Sequence, residues 1–170
     1  PVLIVFADTI IQADFTTLQT SPSEALAWVK RVPDPRHFGV VELGKDGYVS
    51  HLIEKPNNMD NNLAVVGFYY IQDGPGLMEA IEAQMAADIQ PKGEYYLADA
   101  LQIMIDRGLK MRVEEVDVWE DCGQTETVLH TNKYLLDNGH DNSAEVKADG
   151  KISIKVAQKS LEALGIDKYG

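Results

Sequence analysis

Two aspartates, Asp8 and Asp121, each close a run that reads as a strand. The first ends Pro1-Val2-Leu3-Ile4-Val5-Phe6-Ala7-Asp8, and the second stands in Val118-Trp119-Glu120-Asp121-Cys122-Gly123. Open α/β sheets bind ligands outside the carboxyl ends of their strands. A carboxylate at such an end therefore lines the mouth of a site. Two of them converging there can hold a hard divalent cation such as Mg²⁺, which takes oxygen ligands. The other reading is that each Asp caps a turn or the helix that follows it.

Further clusters carry possible chemistry. Gly39, in Arg36-His37-Phe38-Gly39-Val40, lets a backbone come close to a ligand, or serves strand geometry alone. Glu54-Lys55-Pro56 ends a strand, where Glu54 can meet a sugar hydroxyl and Lys55 a phosphate. It also reads as a solvated ion pair. Lys92-Gly93-Glu94-Tyr95-Tyr96 precedes a helix, with Lys92 placed for a phosphate and Glu94 for a hydroxyl. Cys122 reads as a small buried residue rather than a nucleophile. His37, His51, His130 and His140 show no metal-ligand spacing and read as surface or packing residues.

The elements that must position these groups follow from periodicity and punctuation. Residues 2–6 form an apolar run typical of a central parallel strand. Residues 14–19 are weakly helical. Residues 24–32 read as a strand, because they lead into Pro33-Asp34-Pro35, which no helix crosses. Residues 38–43 and 48–53 flank an Asp-Gly turn and predict a hairpin. Residues 63–71 predict a buried strand. A helix follows to about residue 87, with Leu77, Met78, Ile81 and Met85 on its apolar stripe. A second helix spans 96–107 with Leu97, Ala100, Leu101, Met104 and Ile105 inward, and Gly108 caps it. Residues 110–119 predict one strand. Residues 125–136 predict a helix whose apolar positions are Val128, Leu129, Tyr134 and Leu135. In the tail, residues 145–155 suggest a small hairpin and 157–164 a short helix. Strands and helices alternate with one antiparallel insertion, so the class is α/β with a mixed sheet.

Composition narrows the function classes. A chain of 170 residues is long enough for one domain with a sizeable core. Its 27 acidic against 15 basic residues leave a net charge of -12, which argues against a nucleic-acid or anionic-membrane surface. A lone cysteine cannot form an internal disulfide, which points to a reducing, cytoplasmic setting. No stretch approaches the roughly 18 apolar residues of a membrane span. The opening run lacks a basic n-region, so it reads as a core strand rather than a signal peptide. A chain that starts inside a core strand leads us to expect a segment before it.

The order of the clusters is more specific than any one of them: FADTI, DPRHFGVVEL, IEKP, NLAVVGFYYI, KGEYYLADAL and VWEDCGQTETVLHTNKYLL. Over residues 1–136 it resembles the sugar-1-phosphate nucleotidyltransferases, the family of glucose-1-phosphate thymidylyltransferase and uridylyltransferase. The resemblance implies a Rossmann-like α/β fold: a mixed, mostly parallel sheet flanked by helices, with an antiparallel hairpin insertion. It implies transfer of a nucleotidyl group from a nucleoside triphosphate to a sugar-1-phosphate, glucose-1-phosphate by default, with release of pyrophosphate. Such chemistry rests on positioning and charge neutralisation.

By the same resemblance Asp8 and Asp121 are the Mg²⁺ ligands, and with Lys55 the catalytic set. Gly39, Glu54, Val65 and Gly67 line the sugar site, with Tyr69 and Glu94 alongside. Lys55 and Lys92 meet the sugar phosphate. The family often has arginine at the position of Lys92, and lysine keeps the charge but loses the bidentate fork. Nothing in the sequence matches the Gly-rich G-x-G-x-R-x-x-P loop that cradles the triphosphate in that family. We therefore expect a truncated domain: residues 1–140 as the sugar-phosphate portion and 141–170 as a tail without hexapeptide repeats. Alone it is expected to be weakly active or inactive, and to cover the edge of its first strand by dimerising or with its own tail. The alternative is a non-catalytic sugar-phosphate-binding or assembly module derived from the same family.

Overall fold

Ala25, Leu26, Ala27, Trp28 and Val29 are all buried, which makes β3 (Ala25–Arg31) the middle layer of the molecule. Side chains alternate across a strand. Ala25, Ala27 and Val29 enter one core with Tyr69, Ile71, Leu101, Met104 and Met111. Leu26 and Trp28 enter a second core with Val66 and Val116, completed by Phe15, Phe68 and Trp119. The Trp28 ring meets Phe15 at 5.4 Å and stands edge-on to Phe68 at 6.2 Å. The computed structural model describes residues 1–20, 23–123, 125–138, 145–146 and 152–153.

The elements run β1 (Val2–Val5), β2 (Thr9–Gln12), α1 (Thr17–Thr20), β3, β4 (Gly39–Leu43), β5 (Val49–Glu54), β6 (Leu63–Ile71) and α2 (Gly74–Ala86). Then follow α3 (Leu97–Asp106), β7 (Met111–Glu115), β8 (Val118–Asp121), α4 (Thr125–Asn138), β9 (Glu145–Val146) and β10 (Ile152–Ser153). The main sheet has the order β5-β4-β6-β3-β7, with β1 also on β6. The α/β class and the mixed sheet are as expected, but the sheet is mostly antiparallel. Among the described residues β3 with β7 is its parallel ladder, and β1, β3 and β4 all run antiparallel to β6.

Several expectations are corrected. The run at 2–6 is not a central parallel strand. β1 pairs with β6 alone among the described residues and leaves Leu3, Val5 and Phe6 exposed, because apolar composition cannot tell a covered edge from an open one. The run at 110–119 is two strands. β7 lies on β3, while β8 pairs with β2 in a separate ribbon. The crossing is held where the Lys30 ammonium donates to the carbonyls of Val116 and Asp117 at 2.9 and 2.8 Å. β2 itself, the β-branched stretch Thr9-Ile10-Ile11, was not anticipated as a strand.

Helix faces also differ in part. α2 buries Leu77, Ala80 and Gln84, while Met78 and Met85 face solvent. The Gln84 amide donates to the carbonyls of Ile89 and Tyr96, so a polar residue takes a core position that periodicity assigned to methionine. α3 buries Ala98, Ala100, Leu101 and Met104, close to expectation, with Leu97 and Ile105 packed beside them. α4 turns Thr131 inward and leaves Leu129 67% exposed, because it sits on β8 through polar contacts to Glu120. In the tail, β9 and β10 pair antiparallel, Ile152 opposite Val146. The expected helix at 157–164 lies outside the described residues.

Two stability tests follow. Gly67 has φ +77, and a Cβ there would stand 2.7 Å from the Phe6 ring, whereas Gly47 has φ +81 and open space around it. Gly47→Ala pays backbone strain alone, about 1–2 kcal/mol. Gly67→Ala adds overpacking of about 1–3 kcal/mol. Denaturant midpoints should therefore fall further for Gly67→Ala, and equal losses would show that the Phe6 contact yields freely. The second test concerns Asp99, whose Oδ2 is buried without a hydrogen-bond partner and whose pKa burial raises above the ordinary 3.8. With the folded pKa above the unfolded one, the native state holds the proton longer. Its stability share is present below 3.8 and is lost as pH rises through the folded value. Asp99→Asn should unfold at a higher temperature than wild type at pH 7, and the gap should close below the carboxylate range. A pH-independent gap would overturn this.

Candidate functional site

β6 is flanked by β3 along one edge, but its other edge is divided between two partners. β4 meets it at Ala64, and β1 meets it from Phe68 to Ile71. Between those contacts the edge is released at Val65, Val66 and Gly67, and these residues floor a cleft of about 660 Å³. Gly67 makes the bend possible, since its positive φ is open to glycine at little cost. The Phe6 amide then donates to the Gly67 carbonyl at 2.9 Å and turns the chain after β1 towards the cleft.

Asp8 and Asp121 meet on the wall of this cleft. Thr9 lies opposite Asp121 in the β2–β8 ladder, and the Cys122 amide donates to the Asp8 carbonyl at 2.7 Å. Both carboxylates reach Gly123: a Cβ on that glycine would lie 3.2 Å from Asp121 Oδ1 and 3.6 Å from Asp8 Oδ2. The Gly123 amide donates to Asp121 Oδ1 at 3.1 Å. The Trp119 indole donates to Thr9 Oγ1 at 2.7 Å, and that hydroxyl donates on to the Val66 carbonyl at 3.0 Å, which locks the ribbon onto β6. Phe38 packs edge-on against Trp119 at 4.9 Å. Among the described residues no group of three or more acidic, histidine or cysteine side chains gathers around a metal position. Two carboxylates completed by phosphate oxygens are a donor set that suits Mg²⁺, and Asp8 and Asp121 offer those two.

Glu54 and Lys55 line the same cleft. Gly39 pairs with Glu54 across the β4–β5 hairpin, and a side chain there would meet Glu54 Oε2 at 2.9 Å, so this glycine makes room for that carboxylate. The Lys55 amide donates to the Phe38 carbonyl at 3.0 Å. Lys55 has φ +47, a left-handed conformation uncommon outside glycine, and Pro56 follows it. Strain of this kind persists where the surroundings enforce it and clusters at functional sites. The ammonium lies 4.0 Å from Glu54 Oε1 and 5.4 Å from the centre of the Tyr96 ring. Tyr69 is buried below, and burial, aided by the Glu54 charge, pushes its phenol above the ordinary range.

The cleft thus brings together Asp8, Gly39, Glu54, Lys55, Val65, Gly67, Tyr69 and Asp121 from five stretches of chain. Lys92 falls in the 3₁₀ turn Pro91–Gly93, and its side chain lies outside the described ones. Glu94 is not on the cleft wall. Its carboxylate neighbours the Tyr96 hydroxyl, and this interaction, with burial and the charges of Glu94, Glu54 and Asp99, raises the Tyr96 pKa. Tyr96 itself, Thr9 and Phe6 line the cleft and were not singled out from sequence. For Tyr96 the signal was present in the Gly93-Glu94-Tyr95-Tyr96 run but pointed equally to a helix start. His51 and His130 are surface residues, as expected, each beside an acidic partner. His37 lines the cleft, His51 pairs with Glu42 at 3.4 Å and His130 with Glu120 at 2.8 Å, while His140 lies outside the described residues.

Comparison with known proteins agrees with this architecture. The chain is 32% identical over 146 residues to a glucose-1-phosphate thymidylyltransferase of Streptomyces griseus, covering 84% of this chain and 38% of that one. It is 31% identical over 142 residues to the bifunctional protein GlmU of Methanococcus vannielii, covering 80% and 33%. It therefore spans about a third of the length of these curated relatives. Among solved structures, a UDP-glucose pyrophosphorylase complexed with UDP-glucose superposes with a TM-score of 0.64 at 21% identity, over 80% of this chain and 56% of the other, and shares its fold. The family model described as nucleotidyl transferase matches residues 1–138. A match that runs from β1 to the end of α4 takes in every residue lining the cleft, and the chain belongs to the nucleotidyl transferase family.

Proposed function

We propose that the cleft binds a sugar-1-phosphate, with glucose-1-phosphate as the default, and that the protein serves transfer of a nucleotidyl group to it from a nucleoside triphosphate. The observation that carries this reading is one cleft lined by two neighbouring aspartates and by an acid–lysine pair. A sugar phosphate has the matching polarity: hydroxyls for Glu54 to accept from, and an anion for Lys55 to hold. The names of the relatives support the substrate class.

In the reaction a phosphate oxygen of the sugar attacks the α-phosphorus of the triphosphate in line. A new O–P bond forms as the bond to the β-phosphate oxygen breaks, and pyrophosphate leaves with that electron pair. Lys55 orients the attacking phosphate and offsets its charge, and Glu54 fixes the sugar ring. The bend at Gly67 and the Phe6 ring close the floor behind it. Asp8 and Asp121 would hold Mg²⁺, which supplies charge neutralisation for the phosphates. In a chain of net charge -12 such a cation is all the more needed to admit a polyanion. The absence of a G-x-G-x-R-x-x-P segment from the 170 residues supports a further reading, that they hold the sugar-phosphate side and turn over slowly by themselves.

Calorimetric titration with glucose-1-phosphate tests the pocket. Lys55→Ala should weaken binding at least about tenfold, the loss expected for a hydrogen bond to a charged group. Asp8→Asn and Asp121→Asn should abolish any effect of Mg²⁺ on nucleotide-sugar binding while unfolding at the wild-type temperature. Unchanged affinity in Lys55→Ala, from a folded sample, would remove the sugar-phosphate assignment. A pyrophosphate-release assay tests the rest: the 170-residue chain is expected to show little turnover with glucose-1-phosphate and dTTP or UTP. Rates typical of nucleotidyltransferases would refute the slow-turnover reading.

A further inference from the structure

We infer that Tyr96 is a positioning residue for Lys55: its ring is the platform that holds the ammonium in the cleft for the incoming phosphate. This inference rests on the reading of Lys55 as the phosphate ligand and goes beyond it. The Lys55 Nζ stands 5.4 Å above the centre of the Tyr96 ring, within the range at which the ring quadrupole attracts a cation. A lysine at a strand end is otherwise free to sweep through solvent. Here its own carboxylate neighbour, Glu54, lies 4.0 Å away, at the limit of an ion pair. That contact must loosen if Glu54 is to take a sugar hydroxyl and Lys55 a phosphate. The ring contact need not loosen, because a cation over an aromatic face keeps its N–H donors free to point elsewhere.

The platform is itself fixed at both ends. Its hydroxyl has the Glu94 carboxylate as a neighbour, and its backbone carbonyl accepts from the buried Gln84 amide at 3.1 Å and from the Asp99 amide at 3.2 Å. The ring is brought to Lys55 by a second polar tie. Gln102, on the next turns of α3, accepts from the Leu52 amide at 2.8 Å and donates to the Ser50 carbonyl at 3.3 Å, so the helix is docked on β5. β5 ends at Glu54, one residue before Lys55. Glu94, expected at the sugar, thus acts one step away from it, through Tyr96.

A double-mutant cycle with glucose-1-phosphate as probe tests this. In the wild-type background Tyr96→Leu should weaken binding two- to fivefold, the factor expected of an exposed cation–π contact. In the Lys55→Ala background the same change should cost nothing, because the cation it supports is gone. Tyr96→Phe keeps the ring and should retain the Lys55 side-chain methylene shifts in an NMR spectrum, whereas Tyr96→Leu should move them by loss of the ring current. If Lys55→Ala weakens binding but Tyr96→Leu costs the same with and without Lys55, the ring touches ligand directly and the positioning role is wrong. Lys55 shifts unmoved in Tyr96→Leu overturn it too. If Lys55→Ala binds as wild type, the phosphate reading of Lys55 fails first, and this inference with it.

Discussion

The divided edge of β6 is the constraint on which the rest of the structure depends. A strand edge must satisfy its backbone amides and carbonyls. β6 does so along one side with β3, and on the other with β4 at its start and β1 at its end. No straight strand could serve both partners and leave room between them. The positive φ at Gly67 and the irregular register opposite Ala27 and Val29 bend β6 where the partners part. The cleft is the space so opened. Its floor is strand backbone, its rim is the end of β1 on one side and the end of the β4–β5 hairpin on the other.

Polar contacts, more than apolar ones, decide where the rim residues point. Trp119 and Thr9 lock the β2–β8 ribbon to Val66, which places Asp8 beside Asp121. Gln84 holds the turn before α3, and Gln102 docks α3 on β5. Glu120, buried in β8, takes His130 and Thr131 and so seats α4 behind Asp121. A buried hydrogen bond of this kind contributes only about 1 kcal/mol net, yet leaving its partner unpaired costs more. That asymmetry makes such contacts effective at fixing geometry. They give the two groups in the cleft separate supports: the carboxylates are carried by the ribbon, and the lysine by hairpin and helix.

Much of this was legible in the chain. The hairpin with its Asp-Gly turn, the strands at β3 and β6, and the helices α2 and α3 were set by local pattern and by Pro and Gly punctuation. Asp8, Glu54, Lys55 and Asp121 were legible as candidates too, since each sits where an apolar run stops, and all four line the cleft. What was not legible shares a cause. The split of residues 110–119 into β7 and β8 shows in the chain only as a shift of the apolar positions from Met111 and Val113 to Val116 and Val118, with no Gly or Pro to mark a break. The exposure of Leu3, Val5, Met78 and Leu129 depends on which neighbours an element finds, and Gln84 is buried because two carbonyls await it. Sequence pattern reports the character of a residue and is silent on its partners.

By itself, then, the sequence determined the alternation of elements, the positions that require glycine, and the chemical inventory of a cleft: two carboxylates, an acid–lysine pair and a run of aromatic residues. These are local properties, fixed by backbone sterics and side-chain chemistry over a few residues. The tertiary structure alone decided that the sheet is mostly antiparallel, that β1 pairs with β6 alone among the described residues, that Glu94 neighbours Tyr96 rather than lining the cleft, and that the Tyr96 ring lies under Lys55. Those outcomes belong to pairs of residues far apart in the chain. Only the closing of the fold, which weighs every pairing against the entropy of making it, selects among them.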